Sequence, residues 1–114
     1  MTNAPQKPLP PGVYVSGLCR GTRVEQIRTQ QGPRDRHLIG VEVQVPDGWG
    51  GHRSELITIR LSDAQVREGA AGQAQNLVGR HVAISVWIQA WAGQRGAGFS
   101  YQMSNGTAIL DMEA

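Results

Sequence analysis

Two tryptophans, Trp87 and Trp91, stand four residues apart in the run His81-Val82-Ala83-Ile84-Ser85-Val86-Trp87-Ile88-Gln89-Ala90-Trp91. Successive side chains of an extended strand point to opposite faces. Ala83, Ser85, Trp87, Gln89 and Trp91 therefore fall on one face, and Val82, Ile84, Val86 and Ile88 on the other. Flat rings among small polar neighbours form a stacking surface. Beside positive charge, such a surface binds the bases of unpaired nucleic acid, at roughly 1–3 kcal/mol per base whatever the base. Filling a core or a subunit interface is the competing use of the same rings, since aromatics are enriched there as well. Trp91, near the strand end, is the better placed of the two for stacking.

The positive charge is present and unusual in kind. Ten of the eleven basic residues are arginine, Lys7 being the exception, and the net charge is only +2. A guanidinium offers phosphate a planar fork and stacks on rings, which an ammonium does not; a GC-rich genome would produce the same bias with no functional meaning. The distribution says more than the total. Arg20, Arg23, Arg28, Arg34 and Arg36 fall within seventeen residues, opposed only by Glu25 and Asp35. Arg20, Arg28, Arg34, Arg36, Arg53 and Arg95 are the residues expected to track a phosphate backbone. Solvated pairing with Glu25, Asp35, Glu42 and Glu55 is the alternative for each.

Three further aromatics bear on the same question. Trp49 lies in Asp47-Gly48-Trp49-Gly50-Gly51, with no apolar neighbours and no evident core duty, so it is expected to bind a base or a partner or to fold back on the rim. Phe99 is expected in the core. Tyr101 can pack its ring and keep its hydroxyl in water, and it joins the candidate binding set. Other chemistries lack support. His37, His52, His81 and Cys19 have no metal-ligand spacing. Residues 93–98 are glycine-rich but form neither a Walker loop nor a dinucleotide fingerprint. No nucleophile elbow or paired acids stand out. An enzyme is not expected, nor a cofactor or metal.

Strands must carry these side chains. A long first strand is expected over about 13–30, interrupted by Gly17 and Gly21, which mark a bulge or barrel bend. Gln31-Gly32-Pro33-Arg34-Asp35 reads as a turn. Strands follow over about 36–45 and 55–61, with a loop at 46–52 between them. Ser62 or Asp63 can cap a short helix within 63–77, weakened by Gly69 and Gly72. A fourth strand spans about 80–91. A fifth spans about 98–102 and resumes near 108–110. Residues 1–12 hold four of the six prolines and read as a flexible arm. The domain proper is 13–110, and 111–114 are a short acidic end. This order fits an all-β, five-stranded Greek-key barrel, the OB-fold, with a short helix between strands 3 and 4; other small barrels and a six-stranded meander share the order.

The chain has 114 residues, one domain's worth. A single cysteine permits no internal disulfide and suits a reducing cytoplasm. No secretory segment and no run long enough to span a membrane is read.

Several segments together resemble a known family: Val13-Tyr14-Val15-Ser16-Gly17, the arginine-dotted hairpin 20–36, Leu56-Ile57-Thr58-Ile59, Gly79-Arg80-His81-Val82, and the tryptophan-rich hairpin 87–101. Over 13–110 the layout is similar to OB-fold single-stranded DNA-binding proteins of the filamentous-phage and mobile-element kind. The resemblance implies coating of unpaired DNA with little sequence preference, in replication, recombination or element maintenance, and a dimer or tetramer. Bacterial replicative members carry a long Gly/Pro-rich tail. Here 111–114 follow the last strand directly, so recruitment through a tail is not expected. RNA as the ligand remains open, as does a protein-interaction or primosome-type OB module that uses the tryptophan face for a partner. A barrel holding a hydrophobic ligand would need an enlarged interior, of which the sequence gives no sign.

Overall fold

The computed structural model describes residues 9–113, so the first eight residues of the expected N-terminal arm, and Ala114, lie outside the described residues. Six strands and two short helices run in the order β1 (Tyr14–Thr29), β2 (Gly32–Pro46), β3 (His52–Leu61), α1 (Asp63–Arg67), α2 (Ala70–Asn76), β4 (His81–Gly93), β5 (Gly96–Met103), β6 (Leu110–Asp111). The sheet order is β1-β2-β3-β5-β4-β6, with a further pairing of β1 to β4. That pairing closes β1, β2, β3, β5 and β4 into a five-stranded barrel, and the β3–β5 contact is its one parallel seam. The architecture is the OB-fold expected from the sequence.

Closure depends on β1 serving two neighbours. Residues 14–18 pair with β4, and 18–29 pair with β2. The changeover falls at the two glycines singled out in the sequence. Gly17 lies so close to β2 that an added Cβ would stand 2.2 Å from the Glu42 carbonyl oxygen. Register then slips between Cys19 and Gly21, and Gly21 has φ +102°, a left-handed conformation that favours glycine. The bulge bends β1 around the barrel.

The interior is small and aliphatic. Ile39, Ile59, Ile84, Val41, Val82 and Cys19 are its largest fully buried side chains. Cys19 donates its thiol hydrogen to the Ala74 carbonyl at 3.3 Å, which ties α2 to β1. α1 begins with a reciprocal cap: the Gln65 amide N–H donates to Ser62 Oγ at 3.1 Å, and the Ser62 N–H donates to Gln65 Oε1 at 2.8 Å. The buried Gln65 side chain also donates to the Met103 carbonyl at 2.8 Å, pinning the helix to the end of β5.

Several expectations need correction, beginning with β3, which starts at His52 rather than near residue 55. The first reversal is the two-residue turn Gln30-Gln31, and Pro33, Arg34 and Asp35 already belong to β2. Proline is tolerated there because β2 at this level has β1 on one side and no strand on the other. The one or two short turns of helix expected within 63–77 are two, α1 and α2, parted at Gly69, whose φ is +92°. β5 starts at Gly96, two residues earlier than read. Phe99, expected in the core, is 60% exposed, and Ile88 of the aliphatic row is 52% exposed. Both have the correct parity, but the β4–β5 hairpin extends past the barrel, so its inward-facing side has no barrel to face.

Gly17→Ala is expected to lower unfolding stability by about 1–3 kcal/mol or more, because backbone rather than a flexible side chain meets the new methyl. Chemical unfolding monitored by circular dichroism measures it, and an unchanged midpoint would contradict the close β1–β2 approach.

Candidate nucleic-acid interface

The outer face of the barrel is built by cross-strand register. Arg23 on β1 stands opposite Leu38 on β2, Leu38 opposite Arg60 on β3, Arg60 opposite Gln102 on β5, and Gln102 opposite Trp87 on β4. One row thus runs across all five barrel strands from guanidinium to indole. Leu38 is buried although it belongs to this outer row and not to the core cluster. It lies between Arg23 and Arg60 in the ladder, where the apolar stems of arginines cover such a side chain while their heads stay in water.

The tryptophans are open, as the alternation predicts. Trp87 is 49% exposed and Trp91 54%. Trp91 pairs across the hairpin with Gly98, and its ring fills the space above that glycine: a Cβ there would come within 2.6 Å of the ring atom Cζ2. The indole therefore rests on a residue with no side chain of its own to compete for the space. Trp49 is 93% exposed, yet its loop is ordered. The Asp47 carboxylate accepts the Trp49 and Gly51 N–H groups at 2.7 and 3.1 Å, and the Asp47 N–H donates to the Gly51 carbonyl at 3.1 Å. Trp49 sits at the β2–β3 tip, away from the row.

Next to the row, a groove of about 420 Å³ opens between the protruding β1–β2 hairpin and β4–β5; Ile27, Arg34, Arg36, Arg60, Gln89 and Gln102 line it. Arg34 is bridged to Asp63 at 2.8 Å and Arg36 to Glu25 at 3.3 Å. Arg60 has no ion-pair partner among the described residues. Burial, and after it the neighbouring Arg36, pull the Arg60 guanidinium below its ordinary pKa, with Glu25 acting in the opposite sense. The groove thus carries Arg34, Arg36 and Arg60 against Asp35 and Asp63 of its own lining and Glu25 beside it, and Arg60 is the guanidinium there that no carboxylate bridges among the described residues.

The structure brings together some of the sequence-expected residues and separates others. Arg34, Arg36, Trp87 and Trp91 share the outer face. Arg20 lies at the β1 bulge, beside Arg23, Leu38, Gly40 and Leu56 on the same side, with Glu42 at 3.7 Å. Arg28 alternates onto the opposite face of the β1–β2 hairpin. Arg53 lies on the barrel-side face of β3 and is bound to Glu55 at 2.8 Å. Arg95 is exposed in the β4–β5 turn. Tyr101 is on the other face of its hairpin from the tryptophans, paired with Ile88 and edge-on to Phe99 at 5.5 Å between ring centroids. Arg60, Gln89 and Gln102 were absent from the sequence-derived set. Leu56, Thr58 and Arg60 do alternate with the buried residues of β3, which places Arg60 on the outer face. The parallel seam that sets it beside Gln102 has no local signature.

No described helix is long and apolar enough to cross a membrane. Among the described residues, no cluster of three or more potential metal ligands occurs.

The family described as "Putative Gamma DNA binding protein G5P" matches residues 10–113. The chain is similar to the DNA-binding protein G5P of Enterobacteria phage I2-2, at 26% identity over 102 residues, covering 90% of this chain and 92% of that one. Among solved structures it is similar to the small single-stranded DNA-binding protein from Streptomyces coelicolor, at 16% identity and a TM-score of 0.43, covering 89% and 94% of the two chains.

Gly98→Ala is expected to displace the Trp91 ring and shift tryptophan emission to longer wavelength. The same substitution in a Trp91→Phe background should leave emission unmoved; a shift of equal size there would mean the ring does not rest on Gly98.

Proposed function

The chain belongs to the gamma G5P family of DNA-binding proteins, and from that membership and its outer face we propose that it binds single-stranded DNA without catalysis and with little sequence preference. The observation that carries this reading is the row Arg23-Leu38-Arg60-Gln102-Trp87, flanked by Arg34 and Arg36 on one side and by Trp91 on the other. Guanidinium groups neutralise phosphates and open indoles stack on bases, and neither contact reads base identity. Trp49, Arg20, Arg28, Arg53 and Arg95 remain in the proposed contact set as outlying members, and Tyr101 leaves it for the reverse face of the β4–β5 hairpin. The outlying members would be reached by a strand that wraps beyond the groove or by one shared between protomers.

The likeness to a phage protein supports a role in coating unpaired strands during replication or maintenance of a phage or mobile element. A buried lone Cys19 suits a reducing cytoplasm.

The β4–β5 hairpin has two usable faces. Trp87 and Trp91 occupy one; Ile88, Ala90, Phe99 and Tyr101 occupy the other. With Ile88 and Phe99 more than half exposed, the second face is an apolar patch that a second copy of the chain would cover. Stacking and self-association then use opposite sides of one hairpin and do not compete.

Titration with a dT oligonucleotide at low salt should quench tryptophan fluorescence. Trp91→Ala should weaken binding by roughly 1–3 kcal/mol. The logarithm of the affinity should fall with the logarithm of salt by about 0.7 per phosphate neutralised. Unquenched fluorescence at low salt, or an affinity indifferent to salt, counts against the reading. Phe99→Asp should convert the protein to a smaller species in sedimentation velocity while leaving it folded; an unchanged sedimentation coefficient would remove Phe99 from the subunit interface.

A further inference from the structure

The groove beside Arg60 holds more than charge. On its β4–β5 wall, the Gln102 side-chain amide donates to Gln89 Oε1 at 3.3 Å and to Ser100 Oγ at 3.1 Å. That arrangement occupies the Gln102 donor and the Gln89 acceptor. It leaves Gln89 Nε2 and Gln102 Oε1 without a hydrogen-bond partner among the described residues. A coupled amide pair thus presents one free donor and one free acceptor to the groove. Arg60, without an ion-pair partner among the described residues, stands directly across the ladder from Gln102, and Arg36 lines the same groove. Ile27 supplies an apolar side to the same space. At about 420 Å³ the groove lies within the ~300–1,000 Å³ range of small-ligand sites.

We propose that this groove seats one nucleotide of the bound strand, its phosphate on Arg60 and Arg36 and its base edge on the amides of Gln89 and Gln102. The inference rests on the single-stranded DNA reading and goes beyond it: one position in each bound segment is read by hydrogen bonds while the tryptophans stack the rest indifferently. Adenine's N6 donor and N7 acceptor would be met one each by the free Gln102 Oε1 and Gln89 Nε2, and this base is assigned to the site against cytosine and thymine, whose edges also set a donor beside an acceptor. Arg34 and Asp63, bridged to each other, form the far rim and are not assigned to the phosphate.

The test compares dA, dT and dC homopolymers, by fluorescence anisotropy at several salt concentrations, on the full chain and four variants. Arg60→Gln should weaken binding to all three by roughly tenfold and reduce the magnitude of the salt slope by about 0.7. Arg60→Lys should keep the wild-type slope. Gln102→Ala and Gln89→Ala should lower dA affinity relative to dT and dC with no change in slope. If the wild type binds and Arg60→Gln matches it in affinity and slope, or the Lys and Gln variants share one slope, the phosphate assignment fails. If the amide variants weaken all three homopolymers equally, the base-edge assignment fails. If the wild type binds none of them, the parent reading falls and this one with it. Thermal unfolding of each variant separates lost binding from lost fold.

Discussion

β1 must hydrogen-bond two neighbours in turn, and the rest of the molecule follows from how it does so. At Gly17 the Glu42 carbonyl oxygen would stand 2.2 Å from any Cβ, so that position accepts glycine and nothing larger without backbone movement. The β4-facing segment then hands over to β2 through the bulge before Gly21. Closure fixes the register of every ladder around the barrel, because slipping a strand by one residue would turn its core side outward. Residues as distant in sequence as Arg23, Arg60 and Trp87 line up across five strands only because that register is closed.

A barrel this narrow decides where the aromatics go. Its largest fully buried side chains are isoleucines, valines and one cysteine, and no room is left for an indole. All three tryptophans lie outside. The hairpins that extend beyond the barrel then present two-sided ribbons with nothing behind them. β4–β5 resolves this by chemistry: polar residues and tryptophans on one side, an apolar Ile88–Phe99–Tyr101 patch on the other. The β1–β2 extension carries arginines instead, held by acids on the same strands and on α1.

The sequence disclosed what depends on local periodicity. The alternation over 81–91 places both tryptophans opposite the aliphatic row, and the register agrees. Gly17 and Gly21 were legible as bend markers because glycine within a strand has few other uses. Parity, however, gives a side and not a depth. Ile88 and Phe99 fall on the inward side yet project past the core, since nothing local states where the barrel ends along a strand. Tyr101 was grouped with the tryptophans by residue type, although its pairing with Ile88 turns it to the reverse face. Arg60 went unnoticed for a third reason. Its partner Gln102 lies across a parallel seam more than forty residues away, and a parallel contact leaves no turn or spacing in the sequence to announce it.

The arginines of the outer face are tethered yet available, which bears on why ion pairs there do not oppose function. Arg34–Asp63 joins two exposed groups, Arg20–Glu42 is exposed on its arginine side, and Arg36–Glu25 is partly buried; exposed pairs of this kind contribute about 0–1 kcal/mol in water. They hold long side chains in a narrow range of positions without committing much energy to any of them. A phosphate that displaces a carboxylate from such a pair loses little and gains a pre-positioned fork. Arg60 differs: among the described residues it has no ion-pair partner, and burial first, then repulsion by Arg36, disfavour its charged form against the pull of Glu25. An arriving anion relieves that repulsion rather than breaking a bond. Under the proposed function, the paired arginines would act as adjustable contacts along a strand, and Arg60 as the point at which a phosphate is held most firmly.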